Sequence, residues 1–148
     1  MKKIIKLLLP GYSIDEKIYL RYKVANLFWK CKLNFFANFV VYRTYRKYHC
    51  IISYKANING KINLPHPLGI VIGEGVTIEE NVTIYQNVTL GRKNKDIAAY
   101  PIIGKNVIIY ANSILLGNIK VRDDSIIGCN SVILRDIERG EVVKGIVK

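Results

Sequence analysis

The residue best suited to chemistry in this sequence is His66, one of two histidines among 148 residues. Pro65 and Pro67 flank it and hold its backbone in an extended geometry. An imidazole near its unperturbed pKa can take a proton from a hydroxyl at neutral pH, which is the task in acyl transfer to an alcohol. Because a single histidine is also often structural, the sequence leaves both roles open for His66.

A second polar group follows Leu90 and contains the cations Arg92, Lys93 and Lys95. Such cations bind phosphate, although a short basic cluster in a loop is also often simply solvated. The sequence contains no GxGxxG, Walker or GxSxG motif, which argues against nucleotide hydrolysis, Rossmann cofactors and hydrolase chemistry.

The cysteines and histidines do not indicate a metal site. Cys31, Cys50 and Cys129 are odd in number, widely spaced and form no CxxC pair, which favours free thiols in a reducing cytoplasm. His49 and His66 cannot supply the three histidine ligands of a β-helix zinc hydratase within one subunit. We therefore expect no metal, and we interpret His49 as a structural or surface residue.

The charge is concentrated at the start of the chain. The net charge is +12, and residues 1–50 hold 11 Lys or Arg against two Asp or Glu. A basic segment rich in aromatic residues suits an anionic partner such as a membrane surface, although a solvated helix face or an oligomer contact fits equally. No stretch is long and apolar enough for a signal peptide or a membrane span, so we expect a cytoplasmic protein, at most peripheral to a membrane.

Aliphatic residues recur every six positions over most of the chain. A hexapeptide period is typical of a parallel β-helix. The residue two positions earlier is also small or aliphatic, so the first and third residues of each triplet point inward and the middle one outward. The repeated positions are Ile72, Ile78, Ile84, Leu90, Ile103, Ile109, Leu115, Val121, Ile127 and Ile133, with weaker hexads beginning at Ile52, Ile58 and Leu64.

Residues that tolerate positive φ stand three positions after the repeated aliphatic residues, so we expect left-handed corners there. Three sides make a triangular coil of roughly 18 residues, and about four coils are predicted. The hand of the coil cannot be read from this pattern. The predicted corner residues are Gly75, Asn81, Asn87, Asn106, Asn112, Asn118, Asp124, Asn130 and Asp136.

Two segments interrupt the period. Ile72 follows Leu64 by eight residues instead of six, so two extra residues bulge beside His66. Ile103 follows Leu90 by thirteen residues, so a loop of about seven residues leaves the prism within residues 91–101. Binding residues often lie where a regular scaffold is interrupted.

The segment before the repeats is predicted to be helical. Residues 17–48 show no hexads, and their apolar spacing fits one or two amphipathic helices with Trp29, Phe35, Phe36 and Phe39 on the apolar side. The segment either caps the open end of the β-helix or docks on a membrane surface. We therefore divide the chain into a basic helical segment, 1–49, and a β-helix domain, 50–148.

Two stretches, HPLGIVIGEGVTIEENVTIYQNVTLG and PIIGKNVIIYANSILLGNIKVRDDSIIGCNSVIL, resemble the left-handed β-helix acyltransferases over residues 50 to 145. The match is to the serine acetyltransferase branch, nearest to its sugar and capsular polysaccharide O-acetyltransferase relatives. The resemblance implies a left-handed coil, a homotrimer with active sites at subunit clefts, acetyl-CoA as co-substrate and His66 as general base. It also implies acetyl-CoA contacts at Gly91, Lys93, Lys95, Ala111, Gly117, Cys129 and Lys144, and acceptor contacts at Tyr85 and Tyr100.

The departures from serine acetyltransferases indicate which acceptor to expect. Ile51 and Pro65 replace family carboxylates and Ala99 replaces an arginine, which removes the charges that would hold a zwitterionic amino acid. We therefore expect an acetyl-CoA-dependent O-acetyltransferase acting on a sugar hydroxyl in capsule, lipopolysaccharide or exopolysaccharide assembly. The alternatives are a serine O-acetyltransferase of cysteine biosynthesis and a catalytically inactive assembly module. No nucleic-acid partner is expected, because the aromatic residues suit an apolar face.

Overall fold

The computed structural model describes residues 13–94 and 96–148. Two helices come first, α1 (Ile14–Lys30) and α2 (Asn34–Tyr48). A column of short strands follows. The strands are β1 (Ile51–Ile52), β2 (Asn57–Ile58), β3 (Val71–Ile72), β4 (Thr77–Ile78), β5 (Thr83–Ile84), β6 (Thr89–Gly91), β7 (Ile102–Ile103), β8 (Ile108–Ile109), β9 (Ile114–Leu116), β10 (Lys120–Val121), β11 (Ile126–Ile127), β12 (Val132–Ile133), β13 (Val142–Val143) and β14 (Ile146–Val147).

The strands form the three flat sides of a prism, because each pairs in parallel with the equivalent strand one coil away. Side A contains β1, β3, β6, β9, β12 and β14, side B contains β2, β4, β7 and β10, and side C contains β5, β8, β11 and β13. Single bridges from Asn63 to Thr83 and from Val121 to Ile137 extend sides C and B. The predicted parallel β-helix with an N-terminal helical segment is confirmed, and a fifth coil extends it beyond the expected four.

Stacked aliphatic side chains hold these two- and three-residue strands together. Ile78 pairs in register with Ile103, and both side chains are fully buried, as is Val76 two residues earlier. Thr77, the middle residue of the triplet, lies on the outer face. Burial of one such aliphatic side chain stabilises a fold by about 1.5–3 kcal/mol. The core is therefore a continuous ladder that no single coil could form alone.

The corner prediction is confirmed at most positions. The φ angles lie between 55° and 63° at Asn81, Asn87, Asn106, Asn112, Asp124 and Asn130. These residues turn the chain from side B to side C or from side C to side A. Each is an asparagine or aspartate, the residue types that adopt left-handed φ at least cost after glycine.

The prediction is wrong at Gly75, Asn118 and Asp136, where the chain turns from side A to side B without a left-handed residue at those positions. At this corner the left-handed residue is shifted from the predicted position. β9 runs one residue further than most strands, to Leu116, and Gly117 then takes the left-handed conformation with a φ of 89°. The hexad pattern alone could not show this shift, because it depends on how far the side A ladder continues.

Helix α1 covers the first coil of the prism. Ile18 and Tyr22 are buried and belong to the main core. Tyr22 Oη donates to Ala56 O at 2.7 Å and accepts a hydrogen bond from Ile58 N at 3.2 Å. These contacts satisfy backbone groups that would otherwise end the sheet without a partner.

Helix α2 packs against α1 with one face and leaves its opposite face in solvent. Ala37 and Thr44 are buried, whereas Phe35 and Phe39 are exposed. Phe36 is half exposed and also packs on Phe28 of α1, with ring centroids 5.6 Å apart. Trp29 of α1 packs near Tyr54, with ring centroids 6.2 Å apart. The aromatic residues of the predicted apolar side are therefore divided between a packed and an exposed surface. In the described part of the chain, neither helix is long and apolar enough to cross a bilayer.

Candidate active site

His66 lies on a bulge, residues 65–69, at the corner where the chain passes from side C to side A, which we name the CA edge. Hydrogen bonds hold the bulge in place. Leu68 N donates to His66 O at 2.8 Å, and Gly69 N donates to His49 O at 3.0 Å. The backbone that carries His66 is therefore tied both to itself and to the end of the helical hairpin formed by α1 and α2.

The His66 side chain is exposed and stands beside an aromatic column on the same edge. Its ring centroid is 6.1 Å from that of Tyr85. Tyr85 in turn stacks on Tyr110 of the next coil, with ring centroids 5.0 Å apart and planes inclined by 20°. An exposed imidazole beside these stacked tyrosines can contact a substrate hydroxyl and take its proton.

Three of the predicted acetyl-CoA contacts continue along the CA edge. Asn130 N donates to Ala111 O at 3.0 Å, which places Cys129 one coil beyond Ala111. Lys144 follows on the next coil beside Gly128. A Cβ added to Gly128 would lie 3.1 Å from the Cβ of Lys144. The CA edge thus combines the imidazole, small residues and a cation along one line.

The other predicted contacts lie at the corner between sides A and B, which we name the AB edge. Gly117 N donates to Gly91 O at 3.0 Å across adjacent coils. A cavity of about 510 Å³ opens beside Gly117 and has Lys93, Ile97 and Ala99 in its wall. Lys95, a further predicted contact, lies outside the described residues.

Tyr100, at the end of the long loop, packs its ring against Gly73 and Gly75. A Cβ on Gly75 would overlap the Tyr100 ring, and one on Gly73 would lie 3.3 Å from it. Tyr100 Oη donates to Glu74 Oε1 at 3.2 Å, and Lys55 Nζ donates to Glu74 Oε2 at 3.0 Å. The hydroxyl expected to contact an acceptor is therefore already engaged by a carboxylate of the same chain.

These partners also determine the charge state of Glu74. The hydrogen bond from Lys55, followed by that from Tyr100, lowers the pKa of the Glu74 carboxyl, and Arg92 contributes in the same direction. Glu74, Arg92 and Tyr100 line a second cavity of about 450 Å³ on side A. An anionic and a cationic side chain thus border one cavity.

The predicted site residues fall into two groups within one chain. His66, Tyr85, Ala111, Cys129 and Lys144 follow the CA edge, whereas Gly91, Lys93, Tyr100 and Gly117 follow the AB edge. Side A lies between the two edges in every coil. One chain therefore presents the base and the long loop at different corners.

Sequence reasoning missed several polar residues beside these groups. Tyr110 occupies the hexad position of Tyr85, directly after an inward aliphatic residue, and this equivalence could have identified it. Gln86 follows Tyr85, and its buried Oε1 has no hydrogen-bond partner among the described residues. Glu74 had no sequence signal, because its role depends on contacts with Lys55 and Tyr100. In residues 13–94 and 96–148, no group of three or more His, Cys, Asp or Glu side chains could hold a metal ion.

Comparison with known proteins identifies similar repeats and a similar fold. Residues 100–135 match the bacterial transferase hexapeptide family model of six repeats. The chain is 47% identical over 47 residues to a serine acetyltransferase of Staphylococcus epidermidis (strain ATCC 35984), a stretch that covers 32% of this chain and 22% of that protein.

Solved structures extend the similarity to the helices. A truncated serine acetyltransferase apoenzyme superposes with a TM-score of 0.87 and 30% identity, covering 91% of this chain and 57% of that one. A serine acetyltransferase in complex with CoA gives a TM-score of 0.85 and 29% identity, covering 91% and 56%. This chain therefore spans little more than half of those structures. The predicted left-handed hand of the β-helix is confirmed by these superpositions.

The expected sugar acceptor in surface polysaccharide assembly is contradicted, because the similar proteins are serine acetyltransferases. That expectation gave too much weight to three side chains, Ile51, Pro65 and Ala99, and to the shortness of the helical segment before the prism, which also suggested the polysaccharide O-acetyltransferase relatives. A superposition over 91% of the chain must include part of that segment as well as the β-helix. The helices therefore do not separate this chain from serine acetyltransferases.

The hexapeptide model and the superpositions agree on one repeat scaffold. Residues 100–135 thus carry the bacterial transferase hexapeptide repeat, and the chain has the left-handed β-helix fold of the serine acetyltransferases to which it is similar.

Proposed function

We propose that this protein transfers the acetyl group of acetyl-CoA to the hydroxyl of serine. The observation that carries the proposal is the exposed His66 on a tied bulge, in a scaffold that superposes on serine acetyltransferases with a TM-score of 0.87. The complex with CoA among the similar structures supports acetyl-CoA as the donor.

In the proposed reaction, His66 acts as general base. Its unprotonated imidazole nitrogen takes the proton of the serine hydroxyl while the oxygen attacks the thioester carbonyl. The tetrahedral intermediate collapses with cleavage of the carbon–sulfur bond, and the imidazolium returns its proton to the departing thiolate. The products are O-acetylserine and CoA. We assign stabilisation of the oxyanion to a backbone N–H beside the thioester carbonyl.

We further propose that a homotrimer completes the site. One chain carries the base on its CA edge and the long loop on its AB edge, so a threefold arrangement would bring one subunit's CA edge against its neighbour's AB edge. Acetyl-CoA would then lie between Ala111, Cys129 and Lys144 of one subunit and Lys93 and Gly117 of the next. Mass measurement by light scattering tests this arrangement, and a monomer at working concentration would overturn it.

The acceptor needs paired charges, because serine carries an ammonium and a carboxylate at neutral pH. The side A cavity offers both through Glu74 and Arg92. A carboxylate has about four acceptor positions, and Lys55 and Tyr100 occupy two of those of Glu74. We assign the serine ammonium to Glu74 and its carboxylate to Arg92, in place of the charges missing at Pro65 and Ala99.

We assign the chemistry to residues 50–148 and no catalytic role to residues 1–49, although Ile18 and Tyr22 of α1 belong to the same core. The reaction is expected in the cytoplasm, where the thiols of Cys31, Cys50 and Cys129 stay reduced. The polar CA edge gives no reason to invoke a metal, since His66 alone can serve the proton transfer.

The first test is the rate of CoA release from acetyl-CoA with serine as acceptor. His66→Ala is expected to lower kcat by roughly a hundredfold or more, which is typical for loss of a general base. His49→Asn is the matched control, because His49 has a φ of 53° that asparagine tolerates and its contact to the bulge uses only the backbone. Glu74→Gln is expected to raise the KM for serine and leave that for acetyl-CoA unchanged.

Two results would overturn the proposal. Serine that does not increase CoA release by the wild-type protein would exclude it as the acceptor. Full activity of His66→Ala would remove His66 as the base.

A further inference from the structure

The outer face of α2 is a continuous stripe of exposed aromatic side chains. Phe35, Phe36, Phe39 and Tyr42 are 75%, 49%, 54% and 54% exposed. At 100° per residue they lie within about one third of the helix circumference. We name these four residues the aromatic face. Exposed aromatic side chains that cluster in this way mark an interaction surface, whereas scattered ones would not.

Cations border the aromatic face. Arg43, Arg46 and Lys47 lie on the same helix, and with Arg21 and Tyr42 they line an open cleft of about 570 Å³. Arg46 Nη1 donates to Tyr42 Oη at 3.2 Å, which holds the guanidinium next to the aromatic face.

The surrounding sequence lacks charges that would neutralise these cations. Residues 17–49 contain eight Lys or Arg and neither Asp nor Glu. The two acidic residues of the helical hairpin, Asp15 and Glu16, lie in the first turn of α1, and Glu16 is paired with Lys61. The hairpin thus presents apolar rings and uncompensated positive charge on one side.

We propose that the aromatic face and its cations dock on an anionic lipid bilayer surface. The rings of Phe35, Phe36 and Phe39 would enter the boundary between headgroups and acyl chains, while the cleft of Arg43, Arg46 and Lys47 would bind lipid phosphates. α2 would lie parallel to the membrane plane, because only one of its faces carries this pattern.

The charge distribution favours a lipid surface over a second copy of the chain. An isologous contact through this face would place the cations of one hairpin against the same cations of the other. An anionic bilayer instead complements them. This proposal does not rest on the acceptor or on the role of His66, since none of its residues belongs to the proposed active site.

The test measures binding of the full-length protein to sedimented vesicles. Vesicles of phosphatidylcholine alone are compared with vesicles of phosphatidylcholine and phosphatidylglycerol in equal amounts. The wild type is expected to bind the anionic vesicles and to be released by salt. Phe35→Ser with Phe39→Ser, and separately Arg43→Glu with Arg46→Glu, are each expected to weaken binding by about tenfold or more.

Two control variants each make one change of the same kind elsewhere. Ile146→Ser removes an exposed apolar side chain on side A, and Lys120→Glu reverses an exposed charge on side B. Both are expected to bind vesicles as the wild type does. Thermal unfolding confirms that every variant is folded, which is expected because the altered side chains are exposed.

Three outcomes would overturn the proposal. Equal binding to neutral and anionic vesicles would contradict the electrostatic part. If the Phe35→Ser, Phe39→Ser variant bound anionic vesicles as tightly as the wild type, the aromatic face would not be the contact. A lower oligomeric mass of that variant by light scattering would assign the face to a second copy of the chain.

Discussion

The thiol of Cys50 donates a hydrogen bond to the carbonyl oxygen of Pro67, with Sγ and O 2.9 Å apart. Cys50 is fully buried between the end of α2 and the start of β1, whereas Pro67 adjoins His66 on the bulge. Burial raises the pKa of the Cys50 thiol, so it stays protonated and remains a donor at neutral pH. This contact ties the helical hairpin to the peptide that carries the proposed base.

Replacement of Cys50 by alanine is expected to loosen the bulge and misplace His66. Because a displacement of about 1 Å can cost a hundredfold in rate, we expect Cys50→Ala to lower kcat by roughly tenfold while the KM for acetyl-CoA is unchanged. Steady-state kinetics of CoA release measure both constants. Cys50→Ser retains a donor at the same position and is expected to recover most of kcat. Equal losses in the serine and alanine variants would show that packing, not the hydrogen bond, matters.

Stability is expected to fall at alkaline pH. Burial raises the pKa of the Cys50 thiol and the pKa of the Tyr22 hydroxyl, and it is the largest contribution to both shifts. Both groups are neutral when protonated, so the unfolded chain loses these protons at lower pH than the folded one. The stabilisation is therefore complete below the unfolded-state pKa of the thiol, about 8.5, and declines as pH rises through the folded-state values.

Urea unfolding across this alkaline range measures the effect. Tyr22→Phe removes one titrating group and is expected to reduce the slope of unfolding free energy against pH, although it also lowers stability at neutral pH. A Tyr22→Phe slope as steep as that of the wild type would contradict the assignment to Tyr22.

Any side chain at Gly75 is expected to destabilise the fold as long as Tyr100 is present. A Cβ at Gly75 would overlap the Tyr100 ring. Gly75→Ala should therefore displace the ring, break its hydrogen bond to Glu74 and destabilise the fold by about 1–3 kcal/mol. Urea unfolding measures this loss. Gly91→Ala is the stability control, because its Cβ would meet only Leu116 at 3.8 Å.

A double variant tests the cause. If overlap with the ring is responsible, Gly75→Ala should cost much less in a Tyr100→Ala background, which gives a coupling energy between the two positions. Additive effects would show that the two residues are independent.

Asn112 combines a left-handed corner with a side-chain ladder. Its φ is 61°, Asn87 Nδ2 donates to its Oδ1 at 3.0 Å, and its own Nδ2 donates to Asn130 Oδ1 at 3.1 Å. We expect Asn112→Val to destabilise the prism by about 1–2 kcal/mol, because a β-branched residue resists positive φ. Thermal unfolding checks this value.

Two comparisons separate the contributions at this corner. Asn112→Gly keeps the backbone conformation and loses only the ladder, so it should cost less than Asn112→Val. Asn118→Val places the same residue at a corner without positive φ and should have little effect. Equal costs at positions 112 and 118 would contradict the assignment of strain to the left-handed corner.

Much of the fold could be predicted because the hexapeptide period is a local requirement. An inward aliphatic residue, an outward neighbour and a left-handed asparagine each depend on residues a few positions apart. The two interruptions were also visible as breaks in the count between Leu64 and Ile72 and between Leu90 and Ile103. His66 could be singled out for the same reason, since it stands within the first break.

The tertiary structure decided how separate coils meet. Tyr100 lies on Gly75 and donates to Glu74, and Tyr110 stacks on Tyr85, through contacts between residues about one coil apart. Such contacts depend on loop length and side A register, which no local pattern contains. The exposure of Phe35 was decided in the same way, because an amphipathic pattern predicts an apolar face but not what covers it. The sequence determined the coil, its core and most corners, whereas packing between coils and helices determined which side chains remain available for function.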